Sequence, residues 1–487
     1  MKSLRSQLLS GLFWSAVERF GTQGIQFVIT IIIARILTPA DYGLIGMLAI
    51  FIAVAQSFVD SGFGSALIQK QNATQEDFST VFYFNIIVST FFFFLLFFTA
   101  PLIAKFYNQP LLTPITRVMA LNIVINSFGL IQNTILTKNI NFKALTKVSL
   151  ISIIISGAIG ILLAYKGFGV WALVFQTIGG SIIRVISLWF FNKWRPVLVF
   201  SWNSFRTLFS YGSKLLASGL LNTIFDNIYK LVIGKQYSAT DLGFYTQAKR
   251  IQEIPVLSSL SILQRVTFPV YATIQNEIER LKNAYRKTIK GIIYFNFPLM
   301  IGLAVLSPLL VKILLTEKWL PAVPYLQLLC LVGLVYPLSS VNLNILKVKG
   351  RTDIFFYLEV AKKVVIAIAI IITLKMGVLN MVIGQVIASY ICFFLNIYYS
   401  GKVINYSVQE QILDILPYLC ISICMGFVML MGVNILSFSA ILLLFIVAIL
   451  GIVSYYLISR LLRLEAYFDT VAIFTDFSLH KISGFLR

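Results

Sequence analysis

Eleven ionisable residues stand inside long apolar segments of this sequence, where a charged side chain is costly. A charge at the centre of a bilayer costs roughly 2.5–3.5 kcal/mol, so each residue must face water, pair with an opposite charge or reach the membrane surface. The set is Arg19, Arg117, Arg184, Lys214, Lys230, Lys249, Arg250, Glu18, Asp60, Asp226 and Glu253. Seven bases minus four acids leave a surplus of three positive charges, which would attract an anion such as phosphate.

Several of these residues fall on polar faces of predicted helices. In the first apolar segment, residues at helical spacing are Ser15, Glu18, Arg19, Thr22 and Gln26. In a later segment, polar residues recur every four positions at Lys214, Ser218, Asn222, Asp226 and Lys230. A third polar face comprises Asn122, Asn126 and Asn133. Residues three and four apart share a helix face, so these stripes predict several helices lining one water-filled cavity.

The candidate site residues divide by chemistry into three groups. The bases expected to bind an anionic substrate are Arg19, Lys214, Lys230, Lys249 and Arg250. The acids proposed for coupling to an ion are Glu18, Asp60, Asp226 and Glu253. The uncharged residues expected to line the cavity are Gln26, Asn122, Asn126 and Asn222.

Structural explanations of the same residues stay open at this point. Arg117 and Arg184 lie off the polar faces, which favours snorkelling to the membrane surface or pairing. Asp226 and Lys230, an acid followed four positions later by a base, could neutralise one another. Glu18 could compensate a base on a neighbouring helix, and the Asn side chains could serve only as hydrogen-bonded contacts between helices.

The elements that position these residues must be membrane-spanning helices. Of 487 residues, 59% are hydrophobic and only 12% are charged, and the mean hydropathy is +0.89. A soluble domain carries about 25% charged residues. Positions 415–459 contain no charged residue, which is enough length for two helices of about 20 residues. The sequence predicts an all-α polytopic membrane protein with about 14 transmembrane helices.

The positive charge follows the predicted topology. A net charge of +21 would suggest nucleic acid as a partner of a soluble protein. With the N-terminus inside and fourteen spans, however, the inner side collects 25 Lys and Arg and the outer side 7. Cytoplasmic loops of membrane proteins collect bases in this way. We therefore expect both termini in the cytoplasm and no nucleic-acid partner.

A six-residue motif occurs twice, 200 positions apart. Thr38-Pro39-Ala40-Asp41-Tyr42-Gly43 is matched by Ser238-Ala239-Thr240-Asp241-Leu242-Gly243, and two further pairs follow at offsets of 210 and 208. Paired bundles related by an axis along the membrane normal are typical of secondary transporters. We predict an N-lobe over 1–200 with six spans and a C-lobe over 201–403 with six spans. The last two spans and a cytoplasmic tail occupy 404–487.

The sequence lacks the motifs of several enzyme classes. It has no Gly-x-x-x-x-Gly-Lys-Ser/Thr loop, no Gly-x-Ser-x-Gly and no His-Glu-x-x-His, so phosphate-loop, serine-hydrolase and zinc-protease chemistry are not indicated. Four cysteines in apolar runs and the lone His480 do not make a metal site. We expect no catalytic residue, no metal and no cofactor. Gly43 and Gly62 are interpreted as positions of close packing or bending.

The N-terminal motifs resemble a known family. The residues that carry the resemblance are Gly11-Leu12-Phe13-Trp14-Ser15, Arg19, Gln23, Phe27, the stretch 34–43 and the stretch 60–69. Together they resemble Wzx-type polysaccharide flippases, in the branch of colanic-acid (WzxC-like) and teichuronic-acid exporters. That family belongs to the multidrug/oligosaccharidyl-lipid/polysaccharide (MOP) exporter superfamily. Weaker similarity extends over nearly the whole chain.

The resemblance implies two six-helix lobes plus two helices, in the bacterial cytoplasmic (inner) membrane. It implies a substrate of oligosaccharide repeat units on undecaprenyl diphosphate, with membrane lipid and a polysaccharide polymerase or export machinery as partners. It does not specify substrate-binding positions. Two alternatives remain. A MATE-like small-molecule antiporter is disfavoured by the positive surplus, and a glycan polymerase by the lack of a large outer loop.

Overall fold

The computed structural model describes residues 4–468 of the chain. Within that range, the side chains of residues 4–13, 16, 214, 257–266, 268 and 269 lie outside the described part. His480 lies beyond it. All regular secondary structure in residues 4–468 is helical, which confirms the predicted fold class.

Fifteen α-helices and one short 3-10 helix follow one another in the described residues. Their bounds are α1 Leu4–Ile36, α2 Pro39–Asp60, α3 Phe63–Gln69, α4 Gln75–Tyr107, α5 Leu112–Lys138, α6 Phe142–Tyr165, α7 Val170–Phe191, α8 Trp202–Gln236, α9 Ala239–Thr273, α10 Ile278–Leu315, the 3-10 helix Glu317–Ala322, α11 Val323–Val348, α12 Thr352–Thr373, α13 Val378–Val403, α14 Val408–Ile435 and α15 Ala440–Leu461. Fourteen of the α-helices have 22 residues or more, and α3 is the exception.

Ten of these helical segments are long and apolar enough to cross a membrane. The four long helices outside that set are α1, α8, α9 and α12. Three of them, α1, α8 and α9, carry ten of the thirteen predicted site residues. Because of these polar residues, hydropathy alone does not identify α1, α8 and α9 as membrane-spanning helices. The count of fourteen membrane-spanning helices therefore stays a prediction.

The chain divides into two compact units, Met1–Thr246 and Gln247–Arg487. This division falls inside α9 and does not coincide with the repeat boundary near position 200. The lobes 1–200 and 201–403, which were inferred from the repeat, therefore stay a prediction. We describe the two units separately, as unit 1 and unit 2.

Unit 1 is built from pairs of long helices. The main pairs are α1 with α6, α6 with α7, α4 with α5, α5 with α7, and α2 with α8. A hydrophobic cluster joins α3, α4, α5 and α8, with Phe63, Leu67, Phe82, Ile131 and Leu208 buried in it. The chain is close to α8 at the end of α2, where a Cβ on Gly212 would come 2.5 Å from the carbonyl oxygen of Ser61. Nearby, the hydroxyl oxygens of Ser57 and Thr223 are 3.0 Å apart.

Both copies of the six-residue motif start a helix by the same means. The Thr38 hydroxyl accepts the amide of Asp41, whose carboxylate accepts the amide of Thr38 at 2.9 Å. Ser238 and Asp241 repeat this reciprocal capping at the start of α9. Such a capping box satisfies amides that a helix start leaves without partners. The repeat seen in the sequence is thus a repeat of local structure.

The two motif copies also pack directly against each other within unit 1. A Cβ on Gly43 would come 1.7 Å from the carbonyl oxygen of Ala239, and a Cβ on Gly243 would come 1.9 Å from that of Pro39. The two contacts are equivalent, because both residues of each contact are shifted by 200 positions. We call this pair of contacts the glycine clasp. The prediction that Gly43 serves close packing is confirmed.

Unit 2 is organised around α10. This helix packs against α11, α14 and α15, while α13 packs against α11 and α12. Pro298 and Pro308 lie within α10. A buried polar group joins three helices, since the Tyr285 hydroxyl donates to Asn342 and the Ser400 hydroxyl donates to the same amide oxygen at 2.9 Å.

Candidate functional site

Helix α1 places Glu18 and Arg19 side by side, and both are half-buried. The Ser149 hydroxyl of α6 donates to the Glu18 carboxylate at 2.7 Å, so α6 orients this acid. Two turns later, Gln26 is half-buried and its amide nitrogen is 3.4 Å from the Thr30 hydroxyl. The polar face predicted for α1 therefore exists, and part of it contacts α6.

Helix α8 carries the longest predicted stripe. Asn222 and Asp226 are exposed, and Lys230 is half-buried and donates to Asn227 at 3.2 Å. The side chain of Lys214 lies outside the described part of the chain, although its backbone belongs to α8. The middle section of the stripe is thus accessible.

Helix α9 holds Lys249, Arg250 and Glu253, which belong to unit 2. Lys249 forms an ion pair with Glu253 at 3.7 Å, and its side chain is 18% exposed whereas that of Glu253 is 44% exposed. Arg250 is half-buried. An ion pair at 3.7 Å with an exposed acid is weak, so Glu253 reduces the attraction of Lys249 for an anion without abolishing it.

Asp60 ends α2, where the chain turns through Ser61 and Gly62 with positive φ values of 39° and 68°. Asp60 is exposed, and its carboxylate accepts a hydrogen bond from Gln56 at 3.2 Å. Gly62 therefore occupies a bend, as predicted, since only glycine adopts such a φ without strain.

The remaining predicted residues lie on α5 and α7. Asn122 is buried and Asn126 is half-buried. Arg117, which lies off the polar faces, sits over the Phe97 ring at 4.7 Å and donates to the Phe97 carbonyl. Arg184 is exposed and lies 3.5 Å from Asn133. These two bases have local partners, in line with the structural alternative given for them.

The predicted residues are distributed over both units. Unit 1 holds ten of the thirteen, and unit 2 holds Lys249, Arg250 and Glu253. Within unit 1, α1 packs along α6 and α8 packs along α2. A single chamber that contains all thirteen residues remains a prediction.

Sequence analysis missed a second group of charged residues, which lies in unit 2. Lys282, Arg286 and Lys290 occur every four residues along α10, and we call them the base ladder. Lys282 pairs with Glu410 at 3.1 Å, Arg286 makes a bidentate contact with Asp414, and Lys290 lies 3.3 Å from Asp414 and 2.7 Å from Glu465. The sequence contains a signal for this group, because the three bases recur every four residues and the acids Glu410 and Asp414 have the same spacing.

Tyr406 belongs to the same cluster. Its hydroxyl donates to the Asp414 carboxylate, and Lys282 lies over its ring at 5.5 Å. Burial, and then the hydrogen bond to Asp414, raise the pKa of the Tyr406 hydroxyl above its ordinary value, so Tyr406 stays a neutral donor. The cluster holds α14 against α10. Each base of the base ladder has an acidic partner in it.

The helical fold of the chain resembles that of solved membrane transporters. A solved structure, described as the inward-facing conformation of a multidrug resistance MATE family transporter of the MOP superfamily, aligns with a TM-score of 0.64. The identity is 15%, over 81% of this chain and 98% of that one. The chain therefore has the helical fold of MOP-superfamily transporters.

The sequence identifies the family within that class. A family model described as "Polysaccharide biosynthesis protein" matches residues 32–324, so the chain belongs to this family. It is 29% identical over 431 residues to the teichuronic acid biosynthesis protein TuaB of Bacillus subtilis, covering 88% of this chain and 89% of that protein. It is 27% identical over 445 residues to the lipopolysaccharide biosynthesis protein WzxC of Escherichia coli, with coverage of 88% and 89%. The resemblance found in the N-terminal motifs is confirmed.

Proposed function

We propose that this protein is a flippase that moves oligosaccharide repeat units, linked to undecaprenyl diphosphate, across the bacterial cytoplasmic membrane. The observation that carries the proposal is a transporter fold in a chain that belongs to a polysaccharide biosynthesis family. Relatives named for teichuronic acid and lipopolysaccharide biosynthesis support a glycan substrate. The protein works by alternating access, with both termini in the cytoplasm, and delivers its substrate to a polymerase of the same export machinery.

The anionic diphosphate is the part of the substrate that bases recognise. Arg19, Lys214, Lys230, Lys249 and Arg250 hold it, since Arg and Lys form charge-assisted hydrogen bonds to phosphate oxygens. The exposed residues of α8, Asn222 and Asp226, support this assignment because they leave part of the stripe accessible. Gln26, Asn122 and Asn126 offer hydrogen bonds to sugar hydroxyls.

The acids have a separate role in this proposal. Glu18, Asp60, Asp226 and Glu253 are candidates for coupling transport to a proton or a sodium ion. Glu18 is held by Ser149 and Asp60 by Gln56, and a carboxylate with a single neutral donor can exchange that donor for an ion. Glu253 is released from Lys249 when the base turns to the diphosphate, which links substrate binding to the state of an acid.

Complementation of a deletion strain tests the function and the site together. The double variant Arg19→Ala/Lys214→Ala is expected to abolish glycan export while its amount in the membrane, measured by immunoblot, is unchanged. Lipid-linked repeat units should then accumulate in the inner leaflet. The matched control is Lys105→Ala/Lys166→Ala, which removes two exposed bases that are not among the eleven charges inside apolar segments.

Each outcome discriminates between functions. Normal export by the Arg19→Ala/Lys214→Ala variant would disprove the site assignment. A deletion strain that exports glycan normally but becomes sensitive to cationic drugs would favour a small-molecule antiporter instead. Shortened polymer chains with continued export would favour a polymerase.

A further inference from the structure

The segment Asn192–Ser201, which we call the strap, joins α7 to α8 without regular secondary structure. Specific hydrogen bonds fasten it to α4: Trp194 Nε1 to Gln75 Oε1 (2.6 Å), Val197 N to Ser79 Oγ (3.1 Å) and Ser201 N to Thr80 Oγ1 (3.0 Å). The Gln132 amide of α5 donates to the Trp194 carbonyl at 3.1 Å. The strap is therefore held against α4 and α5 by hydrogen bonds. We call the side that faces these helices the inner side and the opposite side the outer side.

The outer side of the strap is strongly apolar. Leu198 is 93% exposed, and Trp202, which follows the strap, is 70% exposed. Phe190, just before the strap, is 81% exposed. Large apolar side chains held in water are unfavourable, because their burial releases hydrophobic free energy. Their exposure points to an apolar medium on that side.

The position of the strap identifies this medium as the membrane boundary. The strap starts where α7 ends, and it is fastened to the N-terminal turns of α4 and to the C-terminal half of α5. All three helices are candidate membrane spans. The strap therefore lies near the ends of three candidate spans, the region of a membrane protein that meets the interface between hydrocarbon and water and in which Trp side chains are enriched.

Basic side chains lie on the strap and at the starts of α6 and α8. Lys193 and Arg206 are exposed. Lys143 lies 5.5 Å from the Trp14 ring, and Lys147 lies 5.8 Å from the ring of Phe191, the last residue before the strap. In the sequence, no Asp or Glu stands between Asp77 and Asp226, an interval with 11 Lys and Arg. The acids nearest the strap are Glu76 and Asp77 at the start of α4, and Asp77 already pairs with Lys70 at 2.7 Å, so bases are in excess around the strap.

We infer that the strap and its neighbouring bases form a docking surface for anionic phospholipid in the adjacent leaflet. Leu198 and Trp202 enter the interface, and Lys193, Arg206, Lys143 and Lys147 contact the phosphate groups. Apolar anchors combined with bases are the usual means of binding an anionic membrane surface. A neutral lipid would satisfy the apolar residues but would leave the positive charge without a counterpart.

Arg195 has a positioning role in this surface. Its guanidinium lies 5.1 Å from the Trp189 ring, and it donates to the carbonyls of Asn192 and Trp194 at 2.9 and 2.8 Å. These contacts fix the strap from within. Arg195 is therefore kept intact in the experiment.

Native mass spectrometry of the full-length purified protein tests the inference. The protein is titrated with phosphatidylglycerol and, separately, with phosphatidylcholine of the same acyl chains. Wild type is expected to prefer phosphatidylglycerol. Lys193→Gln/Arg206→Gln should weaken phosphatidylglycerol binding by about twenty-five-fold, since each base near an anionic surface contributes about 1 kcal/mol, roughly fivefold, with little change for phosphatidylcholine.

Two further variants keep the result interpretable. The control Lys105→Gln/Lys166→Gln removes two exposed bases elsewhere in unit 1 and should change phosphatidylglycerol binding less than about twofold. Leu198→Ser/Trp202→Ser should weaken the binding of both lipids equally. An unchanged melting temperature in detergent confirms that each variant is folded.

Several results would overturn the inference. Equal binding of the two lipids by wild type would do so, and so would equal losses in the strap variant and its control. Loss of undecaprenyl diphosphate binding alone in the strap variant would assign the surface to the substrate instead. None of these readouts depends on transport, so the outcome is independent of the proposed flippase function.

Discussion

The bases of the strap region and the bases of the base ladder are similar in type and opposite in environment. In unit 2, Lys282, Arg286 and Lys290 each pair with an acid of α14 or of the segment after α15. In unit 1, Lys193 and Arg206 are exposed in an interval of the sequence that contains no acid. Bases paired with acids hold helices together, whereas exposed bases are available to anions.

The difference follows from the cost of removing charge from water. A charged pair close to an apolar core is stable only when geometry and further hydrogen bonds compensate its desolvation. Asp414 meets this condition, since Arg286, Lys290 and Tyr406 all contact its carboxylate. An exposed base has no such cost and keeps its full affinity for a ligand. The environment of a base therefore indicates whether its removal affects stability or binding.

The largest effect on stability is expected from Asp414→Ala. Its side chain is 9% exposed and the partner Arg286 is 42% exposed, so the loss of unfolding free energy should be about 2–4 kcal/mol, below the value for a fully buried pair. Thermal unfolding in detergent measures it. The control Asp353→Ala removes an acid from an exposed pair with Arg351 and should lower the melting temperature far less.

A compensating variant sharpens that result. If the loss comes from uncompensated bases, Arg286→Met/Lys290→Met/Asp414→Leu should recover much of it, because replacing a whole charged group by apolar residues is often neutral. A triple variant less stable than Asp414→Ala would show that the charges themselves stabilise the α10–α14 contact.

A smaller effect is expected from Glu410→Gln. This residue pairs with Lys282 at 3.1 Å and also caps α14, where its carboxylate accepts the amide of Ser407. Glutamine can replace glutamate in a capping box, so the variant removes the ion pair and keeps the cap. The melting temperature should fall by a small fraction of the change for Asp414→Ala. An equal fall would mean that the ladder acts as one network.

The smallest effect on stability is expected from Lys193→Gln/Arg206→Gln. Surface substitutions away from specific contacts usually change the free energy of unfolding by less than about 0.5 kcal/mol. The same variant should show a large loss of anionic lipid binding. A drop in melting temperature in lipid-free detergent comparable to that of Asp414→Ala would remove the distinction between the two groups of bases.

Patterns formed by residues that are close in the sequence predict much of the fold. Hydropathy indicated the helices, and the Thr38–Asp41 and Ser238–Asp241 motifs marked two helix starts whose caps the structure confirms. These features depend on residues within one or two turns of each other, so sequence spacing reveals them. The N-terminal motifs also indicated the family that the family model confirms.

Long-range contacts cannot be predicted from such patterns. The carboxylate of Asp414 and the guanidinium of Arg286 are 128 positions apart in the chain, and hydropathy gives no reason to bring them together. The strap was likewise not recognised, since its role depends on hydrogen bonds to α4 and α5. Lys249 and Glu253 were within reach of the same i,i+4 rule that was applied to Asp226 and Lys230, but their pairing was overlooked.

The glycine clasp has a consequence for how this chain could have arisen. Gly43 meets the carbonyl of Ala239 and Gly243 meets the carbonyl of Pro39, which is the self-complementary form of an isologous interface between identical subunits. Two separate copies would form such an interface only at sufficient concentration. Joining them in one polypeptide makes the association intramolecular. Either copy is then free to acquire substitutions that the other does not share.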